Sequence, residues 1–211
     1  MLYLYVVKNE DGSFTIVRVI TNPVNQRGNS GITYGNVTIL DLETRKAEGF
    51  WTQTDVYDGQ GEYKIFKDKT TTFNEDSAVV TNTYSYELMP LEDIKADLKN
   101  RVDSKRSEML NGGFTYNGYT YATDSTSVMN IIGAQVAILS DVDVITPDFV
   151  WRTADDQNIS MDATSFKAFT LALFAFTNTQ YQTSWQIKTA IDSASTYEEI
   201  RAAASWDGTE L

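Results

Sequence analysis

The chain has 211 residues, 42% apolar and 12% aromatic, enough for one large core or two small ones. It contains neither cysteine nor histidine, which removes disulfides, thiolate ligands, the commonest general base and the Ser-His-Asp triad, and leaves a zinc site only carboxylates. The formal charge of −12 is the reverse of what nucleic acid or an anionic membrane attracts. No cofactor, metal, nucleic-acid partner or membrane insertion is therefore expected. The longest apolar run, FKAFTLALFAFTNT, is about half a bilayer span and is broken by Lys167 and threonines.

Residues 1–89 read as β-rich. MLYLYVVKNEDG has neither the basic start nor the small-residue cleavage site of a signal peptide, so the fold is expected to begin at Met1. LYLYVVK and SFTIVRVI flank NEDG, whose Asp11-Gly12 is a hairpin signal. NPVNQRGNSG reads as a polar, turn-rich loop, and its GNSG is not followed by the lysine of a phosphate-cradling loop. NVTILDL, EYKIFKD, TTTF and AVVTNTYSYELM read as further strands, with DGQGE a turn that lacks calcium-loop spacing. TRKAEGFWTQTDVY is ambiguous; a short helix handing Phe50 and Trp51 to a core is one reading.

Pro90 opens a different region. Proline is tolerated in a first helical turn, and LEDIKADLKNRVDSKRSEML follows, with Leu91, Ile94, Leu98, Val102 and Met109 on one stripe and Asp97–Arg101 an i,i+4 pair. Asn111, Gly112 and Gly113 stop it. The helix is expected to connect to and lie on the domain that follows. A three-stranded coiled coil is the alternative, against which Arg101 and Lys105 fall at would-be core positions.

GGFTYNGYTYATDSTS comes next. Asn117-Gly118 suits a type I′ turn, in which both residues take positive φ. Tyr116 then pairs with Tyr119 and Phe114 with Tyr121, all four rings on one face and Thr115 and Thr120 on the other. Asp124 or Ser125 caps a helix in which Val128, Ile132, Val136 and Leu139 repeat at helical spacing. The four-ring face is expected to be packed, most simply under that helix; an exposed sugar platform is the alternative.

SDVDVITP reads as a loop, and DFVWRT and QNISM as strands joined through ADD. Asp162 caps a long helix with Phe166, Phe169, Leu173 and Phe176 on one face, which TNTQYQT is expected to kink or break. Trp185, Ile187 and Ile191 continue it, and Ser195 or Thr196 with Glu198 or Glu199 forms a capping box for a last helix. Trp151 and Trp185 join Phe114, Tyr116, Tyr119 and Tyr121 as the candidate interaction or packing face. Paired acids at Asp141 and Asp143, or Asp155 and Asp156, could in principle hydrolyse a glycoside or hold calcium. Acids in turns ordinarily bond their own backbone and face water, so no catalytic residue is assigned.

The stretches PLEDIKADLKNRVDSKRSEML, GGFTYNGYTYATDSTSVMNIIGA, VWRTADDQNISMDATSF and IKTAIDSASTYEEIRA, in this order over residues 88–206, resemble an uncharacterised domain family of bacteriophage tail and tail-fibre-associated proteins. The likeness rests on the order, since none of the motifs is catalytic. Where family members often carry histidines in the long helix, this chain has FTNTQYQTSW. The resemblance implies a non-enzymatic structural component of the virion, made in the host cytoplasm and placed in the tail as a fibre, fibre adaptor or peripheral baseplate subunit. Its implied partners are other tail proteins, copies of itself in a symmetric assembly and, in one version, host surface glycan. A tail-fibre assembly chaperone and a carbohydrate-binding receptor module are the alternatives, with a carboxylate glycosidase a more distant one. The expected architecture is α+β: a β-rich attachment or oligomerisation domain over 1–89, then a connector helix and a domain of hairpins and helices over 90–211.

Overall fold

The computed structural model describes residues 1–140 and 149–211, among which five α-helices and thirteen strands make an α+β protein. They form two compact units, Met1–Met89 and Pro90–Leu211. Asp141, Asp143 and all but the first residue of SDVDVITP lie outside the described residues.

In the N-terminal unit, β1 (Leu2–Lys8) and β2 (Phe14–Ile20) are an antiparallel hairpin. Its turn is set by Asp11, whose carboxylate accepts the Ser13 N–H (2.9 Å) and hydroxyl (2.6 Å). Then come β3 (Val24–Arg27), β4 (Thr33–Asn36), a 3-10 turn (Val37–Ile39), α1 (Leu42–Glu48), β5 (Phe50–Asp58), β6 (Lys64–Asn74) and β7 (Val79–Leu88). The main sheet runs β2-β1-β5-β7-β6. β7 inserts between β5 and β6, parallel to β5 and antiparallel to β6. Side-chain alternation divides the core between the two faces. Leu4, Val6, Trp51, Ala78 and Val80 cluster on one, with Phe14 and Phe73. Tyr3, Phe50, Ile20 and Val37 cluster on the other, with Tyr5, Tyr34 and Leu40.

Local expectations fail here where a distant partner or a side-chain bond decides. NPVNQRGNSG is not all loop: β3 pairs with β4, a ladder that composition cannot announce. NVTILDL is not a strand. Asn36 accepts the Thr38 N–H and Asp41 the Thr44 N–H, so short polar side chains turn the backbone into a 3-10 turn and then start α1. EYKIFKD and TTTF are one strand, with a register shift between Phe66 and Asp68. The ambiguous segment divides at Gly49, whose φ of +77° ends α1. A Cβ there would lie 2.4 Å from the Val6 carbonyl oxygen. Phe50 and Trp51 thus enter the core from β5, not from a helix.

In the C-terminal unit, α2 (Leu91–Asn111) buries Ile94, Leu98 and Val102. Pro90 is its N-cap residue, and Gly113, at φ +99°, takes the left-handed position beyond its end. The hairpin β8 (Phe114–Tyr116) and β9 (Tyr119–Tyr121), α3 (Ser125–Leu139), the hairpin β10 (Val150–Arg152) and β11 (Asn158–Ser160), α4 (Ala163–Ser193) and α5 (Tyr197–Ala203) follow. A small hairpin, β12 (Ser205–Trp206) and β13 (Thr209–Glu210), closes the chain. α2 lies antiparallel along α4: Lys99 meets Asp192 at 2.7 Å and Asp103 meets Lys188 at 2.5 Å. Its stripe is therefore that of a packed connector, not of a free three-stranded seam. α4 is continuous over 31 residues, against the expected break. TNTQYQT contains no Gly or Pro, and Thr179 and Ser184 return their hydroxyls to the carbonyls of Ala175 and Tyr181.

Candidate interaction surfaces

The aromatic hairpin forms in the anticipated register, Phe114 opposite Tyr121 and Tyr116 opposite Tyr119. Asn117 and Gly118 take φ of +51° and +82°, the type I′ signature. Thr115 and Thr120 hydroxyls meet on the opposite face at 3.3 Å. Phe114 and Tyr121 are buried, Tyr116 is half-buried and Tyr119 reaches solvent. Burial pushes the Tyr121 phenol pKa up, with smaller contributions from Tyr119 and Tyr116. Three of the four rings therefore belong to packing.

The aromatic rings that cover the hairpin face come from α4, while α3 adds Ile131 to the same buried cluster. Phe169 lies 4.7 Å from Tyr121 and 5.6 Å from Tyr116, and Phe176 lies 5.3 Å from Phe114, between ring centroids. Trp151 joins the same cluster through Phe166 at 5.0 Å. Trp185 does not join it; it is exposed on α4 beside Tyr181.

α3 is rotated from its expected orientation. Asp124 is the N-cap, accepting the Ser127 hydroxyl at 2.5 Å and the Ser127 and Thr126 N–H groups, and these bonds hold its pKa below the ordinary carboxylate value. The inward residues are Ile131, Ala134 and Ile138, about one residue round from the stripe that sequence spacing suggests. Ile132, Val136 and Leu139 face solvent. STSVMNIIGAQVAIL carries no charge, so both sides are apolar and periodicity alone could not choose between them. With α4, the outer side borders an apolar groove of about 290 Å³, across which the Thr170 hydroxyl donates to Gln135 Oε1 at 3.0 Å.

The N-terminal sheet offers a second surface, which was not singled out from sequence. β2 and β6 are its edges, with no strand beyond them among the described residues. Tyr57 stacks on Tyr84 at 5.1 Å, Phe66 packs edge-on to Tyr86 at 6.2 Å, and the Lys69 ammonium lies 5.4 Å from the Tyr84 ring centre. Tyr57 and Phe66 remain exposed. The signal was present as aromatic residues in register on three runs, but it required the strand order to be seen. Lys64, Lys67 and Lys69 on β6 are a usual device against unwanted strand pairing.

The acidic turn is occupied by its own structure. Asp155 accepts the Thr153 hydroxyl and the Gln157 amide, each at 2.6 Å, and these bonds lower its pKa. Asp156 pairs with Arg152 at 2.8 Å. A glycosidase acid needs a raised pKa, so the shift at Asp155 runs the wrong way for that task. Among the described residues, no group of three acidic side chains is placed to hold a metal, and no helix is long and apolar enough to cross a membrane.

A family model described as "Domain of unknown function (DUF4376)" matches residues 93–205, over half the chain. No curated protein and no solved structure matches significantly.

Proposed function

The chain belongs to the DUF4376 family, and from that premise we propose that it is a structural component of a bacteriophage tail, acting by protein–protein assembly and not by catalysis. The order of the C-terminal motifs, with their likeness to tail-associated domains, supports the setting. One structural observation supports the mode of action: Phe114, Tyr116, Tyr121 and Trp151 are packed in the core, while apolar surface is left outside on α3 and α4. Assembly uses surface of that kind, since buried apolar area contributes about 25 cal/mol per Å² before ordering costs are subtracted. The turn bonds of Asp155 and Asp156 favour the non-enzymatic version.

Mass spectrometry of purified particles made by the phage that encodes the chain tests this. Peptides from it at fixed stoichiometry are the expected result. Peptides present in the lysate but absent from particles would overturn the structural reading in favour of an assembly chaperone, which needs the same adhesive surface. Asp155→Asn with Asp156→Asn is expected to leave particle yield unchanged; loss of a glycan-cleaving activity in the folded double variant would revive the paired-carboxylate reading.

A further inference from the structure

We propose that the outer face of α3 and α4 is a self-association surface, which packs against the same face of a second copy around a two-fold axis. Met129, Ile132, Val136 and Leu139 on α3, and Leu171 and Phe174 on α4, are 51–71% exposed. Spacings of three, four and seven residues put each set on one side of its helix. At roughly 200 Å² for a large residue, these six present on the order of 700–750 Å², above the largest patch of an ordinary monomer (about 300–600 Å²) and close to the ~800 Å² per partner of a stable interface.

Charge selects the occupant. The whole chain carries −12, so two copies repel wherever their acidic surfaces meet. α3 has no charged residue, and Lys167 is the one charged residue on α4 between Ala163 and Lys188. Among the described residues, neither α3 nor α4 as far as Lys188 carries a carboxylate that a second copy would bury. An anionic membrane is disfavoured, because a helix that lies on one needs a basic rim that this chain lacks. Two helices from each copy, apposed through apolar stripes, make a four-helix layer with an isologous interface. The groove between α3 and α4 supplies the hole, and Phe174, the most exposed large residue on α4, supplies the knob. The assignment does not depend on where the protein acts.

Sedimentation of the full chain over a wide concentration range tests it. The unaltered protein is expected to form a dimer. Val136→Glu should weaken it by about 100-fold or more, because the interface would bury an unpaired carboxylate. Phe174→Ala, which adds no bulk or charge, should also release monomer. Both sites are exposed, so the circular dichroism spectrum should stay unchanged, and the unfolding midpoint should lose only the part that depends on protein concentration. A chain that remains monomeric throughout, an oligomer of other than two copies, or a dimer that persists in both variants would overturn the proposal.

Discussion

At the scale of residues, Gly118 separates backbone strain from steric clash. Its φ is +82°, yet a Cβ added there meets nothing within 4 Å. Gly118→Val should therefore lower stability by about 1–3 kcal/mol through conformation alone, and Gly118→Asn by less, since Asn tolerates the left-handed region. Urea unfolding of both variants checks this; equal losses would implicate packing instead. Glu48 is a buried carboxylate at the end of α1, accepting the Ser30 N–H (3.0 Å) and hydroxyl (2.9 Å). The Ser30 N–H bond leads in lowering its pKa from the ordinary 4.5, with burial opposing. Because the folded value is the lower one, its contribution is present above about pH 4.5 and disappears as pH falls through the folded value. Glu48→Gln should lose roughly 1–2 kcal/mol at neutral pH and show a shallower acid decline than the unaltered chain, read from unfolding midpoints between about pH 5 and pH 3.

At the scale of elements, packing outweighs charge. Phe169 is fully buried and touches Tyr116, Tyr121, Phe114 and Phe166. Phe169→Ala should destabilise by about 3–5 kcal/mol, because the hairpin rings and the neighbouring turn of α4 cannot all collapse into the space. The α2–α4 pair Asp103–Lys188 is partly exposed. The Lys188 bond leads in lowering the Asp103 pKa, but solvent screening limits such a pair to about 0.2–1 kcal/mol. A double-mutant cycle on Asp103→Asn and Lys188→Met should return a coupling in that range. A coupling several times larger would mean that the pair, not the apolar stripe, sets how α2 lies on α4.

At the scale of the whole molecule, the division at Met89 and Pro90 makes a prediction about folding. Each unit has its own buried clusters, so a fragment comprising residues 90–211 should unfold cooperatively by itself. Denaturant melts of the fragment and the full chain, read by circular dichroism, check it. A fragment without a cooperative transition would mean that its core needs residues 1–89. Self-association through α3 and α4 would also travel with this fragment, whereas pairing along β2 or β6 would stay with the other.

The sequence by itself determined what short-range chemistry controls. The Asn117-Gly118 turn and hairpin register, the Asp162 cap, a cap at Asp124 or Ser125, a capping box at Ser195 or Thr196 with Glu198 or Glu199 (the structure uses Asp124 and Thr196–Glu199) and the change of composition at Pro90 all depend on residues within a few positions of one another. They also suffice for the α+β class. Tertiary structure decided everything that needed a distant partner. It placed β7 between β5 and β6, paired β3 with β4, kept α4 unbroken and brought α4 to the hairpin. It also chose the inner side of α3. A helix apolar all round satisfies the same periodicity in more than one rotation, and only the rings it meets select one. The candidate surface followed from that choice: the stripe that spacing assigned to the core is the one left facing out.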